Sequence, residues 1–192
     1  TPHGFDRWLA PDGENAWCKI LNPDGHLCRQ VWAVAPRCKL DLRLHGLSEQ
    51  KAEMYANPAR LGKAHAEHWA RWLREQGIPE SLHHMLACEG INEADWNPDK
   101  LPPVVEYTVV YIEHCFLLGI PPSVLQMNTG WPTNHSIPDG PPDWSPFEPV
   151  RKALLQYGGY LSVHEYTDAR GPTSDDWLWN PGRIFQIPDS WA

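Results

Sequence analysis

The chain has 192 residues and carries 24 acidic against 16 basic side chains, a net charge of −8. That length fits one domain with a sizeable core, and the absence of any basic stripe argues against a nucleic-acid surface. No stretch approaches the roughly 20 uninterrupted apolar residues of a membrane span, the start Thr1-Pro2-His3-Gly4 is no signal peptide, and an opening without Met is expected of a processed chain or a piece of something longer.

Short apolar runs alternate with longer helical ones. Ala16 to Leu21 reads as a strand ending at Asn22-Pro23-Asp24, and a short helix follows from Leu27 to Ala35, stopped near Pro36. Lys39 to Leu44 alternates polar and apolar residues as a second strand. From Ser48, a candidate N-cap, a long helical stretch runs to about Gln76 with a break at Asn57-Pro58, and Gly77 supplies the stop. His84 to Glu89 is the third strand and leads into Gly90-Ile91-Asn92-Glu93. Val104 to Leu118 has helical spacing and closes at Gly119. Ser123 to Met127 is a fourth strand, Phe147 to Tyr157 a helix stopped by Gly158-Gly159, and Tyr160 to Tyr166 a fifth strand. The pattern then fades, with a possible further strand at Arg183 to Ile187.

Strand-helix alternation with short turns implies parallel strands joined by right-handed crossovers. An open doubly wound sheet and a barrel both satisfy it. No G-x-G-x-x-G follows the first strand and no G-x-x-x-x-G-K-[ST] occurs, so nucleotide-binding sheets lose support. Polar residues end all five runs: Asn22, Arg43 with His45, Asn92-Glu93, Asn128, and His164 with Tyr166. Such convergence on one rim favours a barrel, although a closed eight-stranded barrel takes about 250 residues.

Eleven Trp and twenty Pro stand out. Trp offers a stacking face for sugar rings but is also a large core residue; the prolines, clustered at Pro102-Pro103, Pro121-Pro122 and Pro138 to Pro149, describe rigid loops. The five cysteines (18, 28, 38, 88 and 115) match no common zinc spacing, and Cys18, Cys88 and Cys115 sit in apolar runs as packing residues. His65 and His68 share a helical face, yet no H-E-x-x-H and no third ligand accompany them. No metal and no cofactor is expected. A G-x-S-x-G elbow is absent too, which removes the serine-hydrolase reading.

Glycosidic cleavage needs a carboxylic acid to protonate the leaving oxygen and a second carboxylate to attack the anomeric carbon or activate water. Glu93, at a strand end beside Asn92, suits the first role, with Asn92 binding a sugar hydroxyl; the alternative is a loop cap facing solvent. His164 and Tyr166, two residues apart on a strand, face the same way. They either orient a carboxylate and sugar hydroxyls or pack as a semi-buried pair. Arg43 either holds a catalytic carboxylate ionised or pairs structurally with Asp41 or Glu89. Asn128 and Trp131 offer a hydrogen bond and a stacking face, or simply a turn with Gly130 and Pro132.

Together these residues resemble the (β/α)8-barrel retaining glycoside hydrolases, cellulase-like and phage or bacterial barrels whose acid/base follows an Asn at the end of strand four. The matching pieces are Lys19, Arg43, Asn92-Glu93, Gly130-Trp131-Pro132 and His164-Glu165-Tyr166. The resemblance implies an α/β TIM-barrel-like domain over residues 1–192, incomplete or truncated. It further implies Glu93 as general acid/base, Asn92 as substrate ligand, and His164 and Tyr166 as pocket lining. The family's nucleophile, a Glu at the end of strand seven, has no counterpart, since no Glu follows Glu165.

Three readings follow: the first three quarters of a glycosidase barrel, a barrel-derived carbohydrate-binding or structural protein, or an enzyme that pairs Glu93 with Glu165 or Asp168. The expected partners are a carbohydrate and a second copy or another chain that covers exposed strand edges. The Trp-rich segment with Trp177, Trp179, Phe185 and Trp191 offers a contact surface. Nucleic acid and membrane are not expected partners.

Overall fold

The computed structural model describes residues 17–95, 97–127 and 143–163. Five parallel strands form one sheet in chain order: β1 (Trp17–Leu21), β2 (Lys39–Arg43), β3 (Leu86–Glu89), β4 (Pro122–Met127) and β5 (Tyr160–Val163). Between them lie α1 (Gly25–Val34), then α2 (His45–Ser48), α3 (Lys51–Ala56) and α4 (Pro58–Glu75), then α5 (Leu101–Leu117), and finally α6 (Glu148–Tyr157). The α/β class with a parallel sheet expected from the alternation is what the chain forms. The continuation of β5 to Tyr166 and the strand at 183–187 lie outside the described residues.

A sheet whose order follows the chain puts all its right-handed crossovers on one face. The core agrees. Ile20, Leu40, Leu42, Leu86, Cys88 and Val124 from the strands join Cys28 and Val31 of α1, Trp69 and Leu73 of α4, Tyr111 and Ile112 of α5, and Val150 of α6 in one apolar cluster. Alternation therefore sends Lys19, Asp41, Arg43, Ala87, Glu89 and Ser123 to the other face. Register aligns them: Lys19 lies opposite Asp41, Asp41 opposite Ala87, and Glu89 opposite Ser123.

That face is curved. Trp17 of β1 and Tyr160 of β5 meet edge to face with ring centroids 4.8 Å apart, and Lys39 Nζ lies 5.3 Å from one ring centroid and 5.6 Å from the other. In a flat sheet four strand spacings would separate β1 from β5 by roughly 19 Å.

Local chemistry sets the element ends. Asp24 caps α1 by accepting from Leu27 N at 2.7 Å. Helices α4 and α5 close identically, with Gly77 (φ +64) and Gly119 (φ +67) each followed by a buried isoleucine whose N–H reaches back to Leu73 O and Cys115 O. Two expectations need correction. The stretch from Ser48 to Gln76 holds α3 and α4, parted at Asn57 as expected, but Ser48 does not cap them: it ends α2, its hydroxyl donating to His45 O at 3.3 Å. Pro102 and Pro103 are not loop residues; they occupy the first turn of α5, where no N–H partner is required.

Candidate functional site

The C-terminal ends of β1 to β4 carry a connected polar network on the concave face. Glu89, the last residue of β3, has a fully buried side chain that pairs with Lys19 Nζ of β1. Its second oxygen lies 4.0 Å from Arg43 Nε of β2. Arg43 also donates to Ser48 Oγ at 3.3 Å and to Glu49 Oε1 at 3.0 Å. Asn92 Nδ2 then donates to the same Glu49 oxygen at 3.3 Å. Three of the residues singled out in the sequence, Arg43, Asn92 and its neighbour Glu93, are thus brought to one end of the sheet, Arg43 and Asn92 through Glu49. Asn128, Trp131, His164 and Tyr166 lie outside the described residues.

Backbone bonding fixes Asn92 and Glu93. Beyond β3 the chain keeps strand-like pairing to both sides: Asn92 N donates to Ser48 O at 2.9 Å, and Glu93 N to Gln126 O at 2.9 Å. Glu93 itself sits at φ +44, a left-handed conformation that a non-glycine residue adopts only when its surroundings impose it. Its side chain is half-buried.

From the helix side, aromatic donors hold the same segment. Tyr111 Oη donates to Cys88 O at 2.8 Å, and Trp69 Nε1 to Glu89 O at 3.0 Å. Tyr107 Oη accepts from the Ile91 backbone and lies 2.8 Å from His65 Nδ1. His65 Nε2 faces Gln50 Oε1 at 3.4 Å, which makes Nε2 the protonated nitrogen and Nδ1 the acceptor of the Tyr107 proton. Burial pushes the His65 imidazole down to about 4, so it is neutral in this role. The residue weighed as a metal ligand is a support for the loop instead, and among the described residues no group of three or more His, Cys, Asp or Glu is set to hold a metal ion.

Asp41 and Gln126 complete the network and were not recognised as site residues. The Asp41 carboxyl hydrogen-bonds that of Glu89, and the Ser123 hydroxyl also reaches it. Burial, then the charge of Glu89, pushes Asp41 up to about 8, with Lys19 pulling the other way. At neutral pH Asp41 is therefore the protonated partner and donates to Glu89. Gln126 arrives through a bulge. Pairing between β4 and β5 shifts after Val124, and Leu125 takes φ +58. Val124 and Leu125 both join the core, so Gln126 turns to the concave face, where its Nε2 donates to Ser123 O at 2.7 Å and lies 3.4 Å from Ser123 Oγ. The Lys39-Leu-Asp-Leu-Arg alternation already puts Asp41 on the face of Arg43. Nothing in the sequence marks the bulge.

Asn92 Oδ1 and Gln126 Oε1 on this network are buried and meet no donor among the described residues, while the buried oxygens of Asp41 and Glu89 have the proton that Asp41 donates. Buried polar atoms in folded proteins are nearly always paired, with protein, water or ligand. No family model, no curated protein and no solved structure matches this chain. The chemistry of the network therefore carries the functional reading.

Proposed function

We propose that this protein binds carbohydrate at the C-terminal ends of its strands and cleaves a glycosidic bond there, with Glu93 as general acid/base. The observation that carries the reading is the fixing of Asn92-Glu93 by backbone bonds to Ser48 and Gln126, beside a network in which Asn92 Oδ1 and Gln126 Oε1 are buried without a donor among the described residues. Glu93, half-buried just past the end of β3, is the carboxyl assigned to the leaving oxygen in this reading, and Asn92 beside it is assigned to a sugar hydroxyl. Chain-order strands and the Trp17–Tyr160 contact across the concave face support a (β/α)-barrel-like winding.

A second reading, a barrel-derived protein that binds sugar without cleaving it, is favoured by the state of the other carboxyl groups. Glu49 holds Arg43, Glu89 holds Lys19, and Asp41 is bonded to Glu89. None of these is disposed as a nucleophile.

The test is turnover of a panel of activated aryl glycosides, alongside binding of the corresponding oligosaccharides. Glu93→Gln should abolish turnover and leave binding largely intact. Binding by wild type without turnover on any glycoside selects the second reading, and neither binding nor turnover removes both. The reading also includes self-association, suggested by Phe116, Leu117 and Leu155, which are 53%, 72% and 64% exposed. A monomeric mass by light scattering at micromolar concentration would count against that part.

A further inference from the structure

Helix α5 is apolar on its outer side as well as its inner one. Val104, Tyr107, Tyr111, Ile112 and Cys115 are buried in the core, and α4 and α6 both pack against the helix. On the outer side Leu101, Val105 and Val109 recur every fourth residue as one ridge, and they are only partly buried. A helix that is apolar on both sides needs cover on both. Along the ridge runs a groove of about 610 Å³. Pro98 and Pro102 line it at the start of α5, and Pro146 and Pro149 at the start of α6. Glu106 is the charged side chain among the described residues that line it.

Shape argues against a second copy as the occupant. A two-fold dimer through this surface sets groove against groove, concave on concave, and fills neither. The chain's own continuation fits better. Strands of a parallel sheet all point to the end at which the next helix begins, so β5 leaves at the end where the groove lies. Thirteen residues (164–176) then lead to Trp177-Leu178-Trp179, which lie outside the described residues. A linker of that length spans up to roughly 43 Å. Helix α5, with 17 residues, is roughly 26 Å long, so the whole groove is in reach.

The chemistry is matched as well. Proline rings against aromatic rings are the pairing by which aromatic grooves take proline-rich peptides, with the roles exchanged here. An indole that leaves water needs an acceptor for its N–H, and the Glu106 carboxylate on the groove wall is one. We propose that this groove is the docking site of the chain's own Trp177-Leu178-Trp179 segment, seated between the prolines of α5 and α6. The proposal stands apart from the carbohydrate reading and does not depend on it.

Photo-cross-linking of the full chain tests it. A benzoylphenylalanine placed at position 105 should, on irradiation, join the tryptic peptide 171–183, which contains both tryptophans, in a product of single-chain mass. Replacing both (Trp177→Ala with Trp179→Ala) should lower the yield of that product about tenfold, because the aromatic anchors carry most of such a contact. A second measurement uses fluorine NMR of the chain labelled with 5-fluorotryptophan. Val109→Glu should move the Trp177 and Trp179 signals and leave that of buried Trp69 in place, which reports an intact core. A cross-linked product of doubled mass, cross-linking to residues 128–142 in place of 171–183, or no cross-link at all overturns the proposal. So do Trp177 and Trp179 signals that ignore Val109→Glu.

Discussion

Trp17 and Tyr160 touch although three strands lie between them in the sheet, and Lys39 is placed over both rings. Only curvature toward the polar face brings side chains of the first and fifth strands together. Trp17→Ala and Tyr160→Ala should therefore be coupled. A double-mutant cycle by denaturant unfolding should return an interaction of about 0.5–1.5 kcal/mol, typical of an aromatic pair. Additive losses would mean that the strands do not approach.

The Asp41 proton makes stability depend on pH. Because its folded-state pKa is raised from 3.8 to about 8, the folded protein holds a proton that the unfolded chain has released over that interval. Its contribution is complete below about pH 4 and is lost as pH rises to about 8. Asp41→Asn keeps a donor for Glu89 that cannot ionise. Thermal unfolding between pH 5 and 9 should show wild type losing about 2–4 °C more than Asp41→Asn, the shift that about 1 kcal/mol gives a chain of this size.

His65 produces the opposite slope. Its folded-state pKa is lowered from 6.5 to about 4, so the unfolded chain binds the extra proton first, and stability falls as pH drops from 6.5 through 4. Protonation at Nδ1 would also remove the acceptor for the Tyr107 hydroxyl. His65→Phe should cost about 1–3 kcal/mol at pH 7 by stranding that hydroxyl. It should also flatten the acid limb in pH-dependent unfolding, where His68 and the uncharged Gln50 and Tyr107 are the neighbouring groups. An unchanged acid limb would assign that titration to another group.

Leu125 is a leucine where the backbone is left-handed, and its side chain is 3% exposed. A β-branched residue tolerates that conformation poorly. Leu125→Ile should cost more than about 1.5 kcal/mol, whereas Leu86→Ile, a like change in an ordinary strand, should cost less. Equal losses in chemical denaturation would show that the bulge relaxes freely.

Much of the frame was legible, and the reasons are local. Alternation in Lys39 to Leu44 and the short apolar runs marked all five strands to within two or three residues at their described ends. Gly77 and Gly119 marked the helix stops because only a left-handed residue closes that turn readily. The prolines misled at α5, since a first helical turn and a loop favour the same residue. The candidate site was half legible. Arg43, Asn92 and Glu93 were read from strand ends, and Glu89 was seen only as a partner for Arg43. Gln126 was missed because its direction depends on one φ angle, which no periodicity encodes.

The aromatic donors under β3 have a mechanical consequence. Cys88 and Glu89 hang from Tyr111 and Trp69 by their carbonyls and Ile91 from Tyr107 by its backbone, on two different helices. Those helices have no slack between them: a Cβ at Gly62 of α4 would lie 2.7 Å from the Tyr107 carbonyl of α5. The Asn92-Glu93 segment accordingly has a stiff mount: its backbone cannot shift without carrying two packed helices with it.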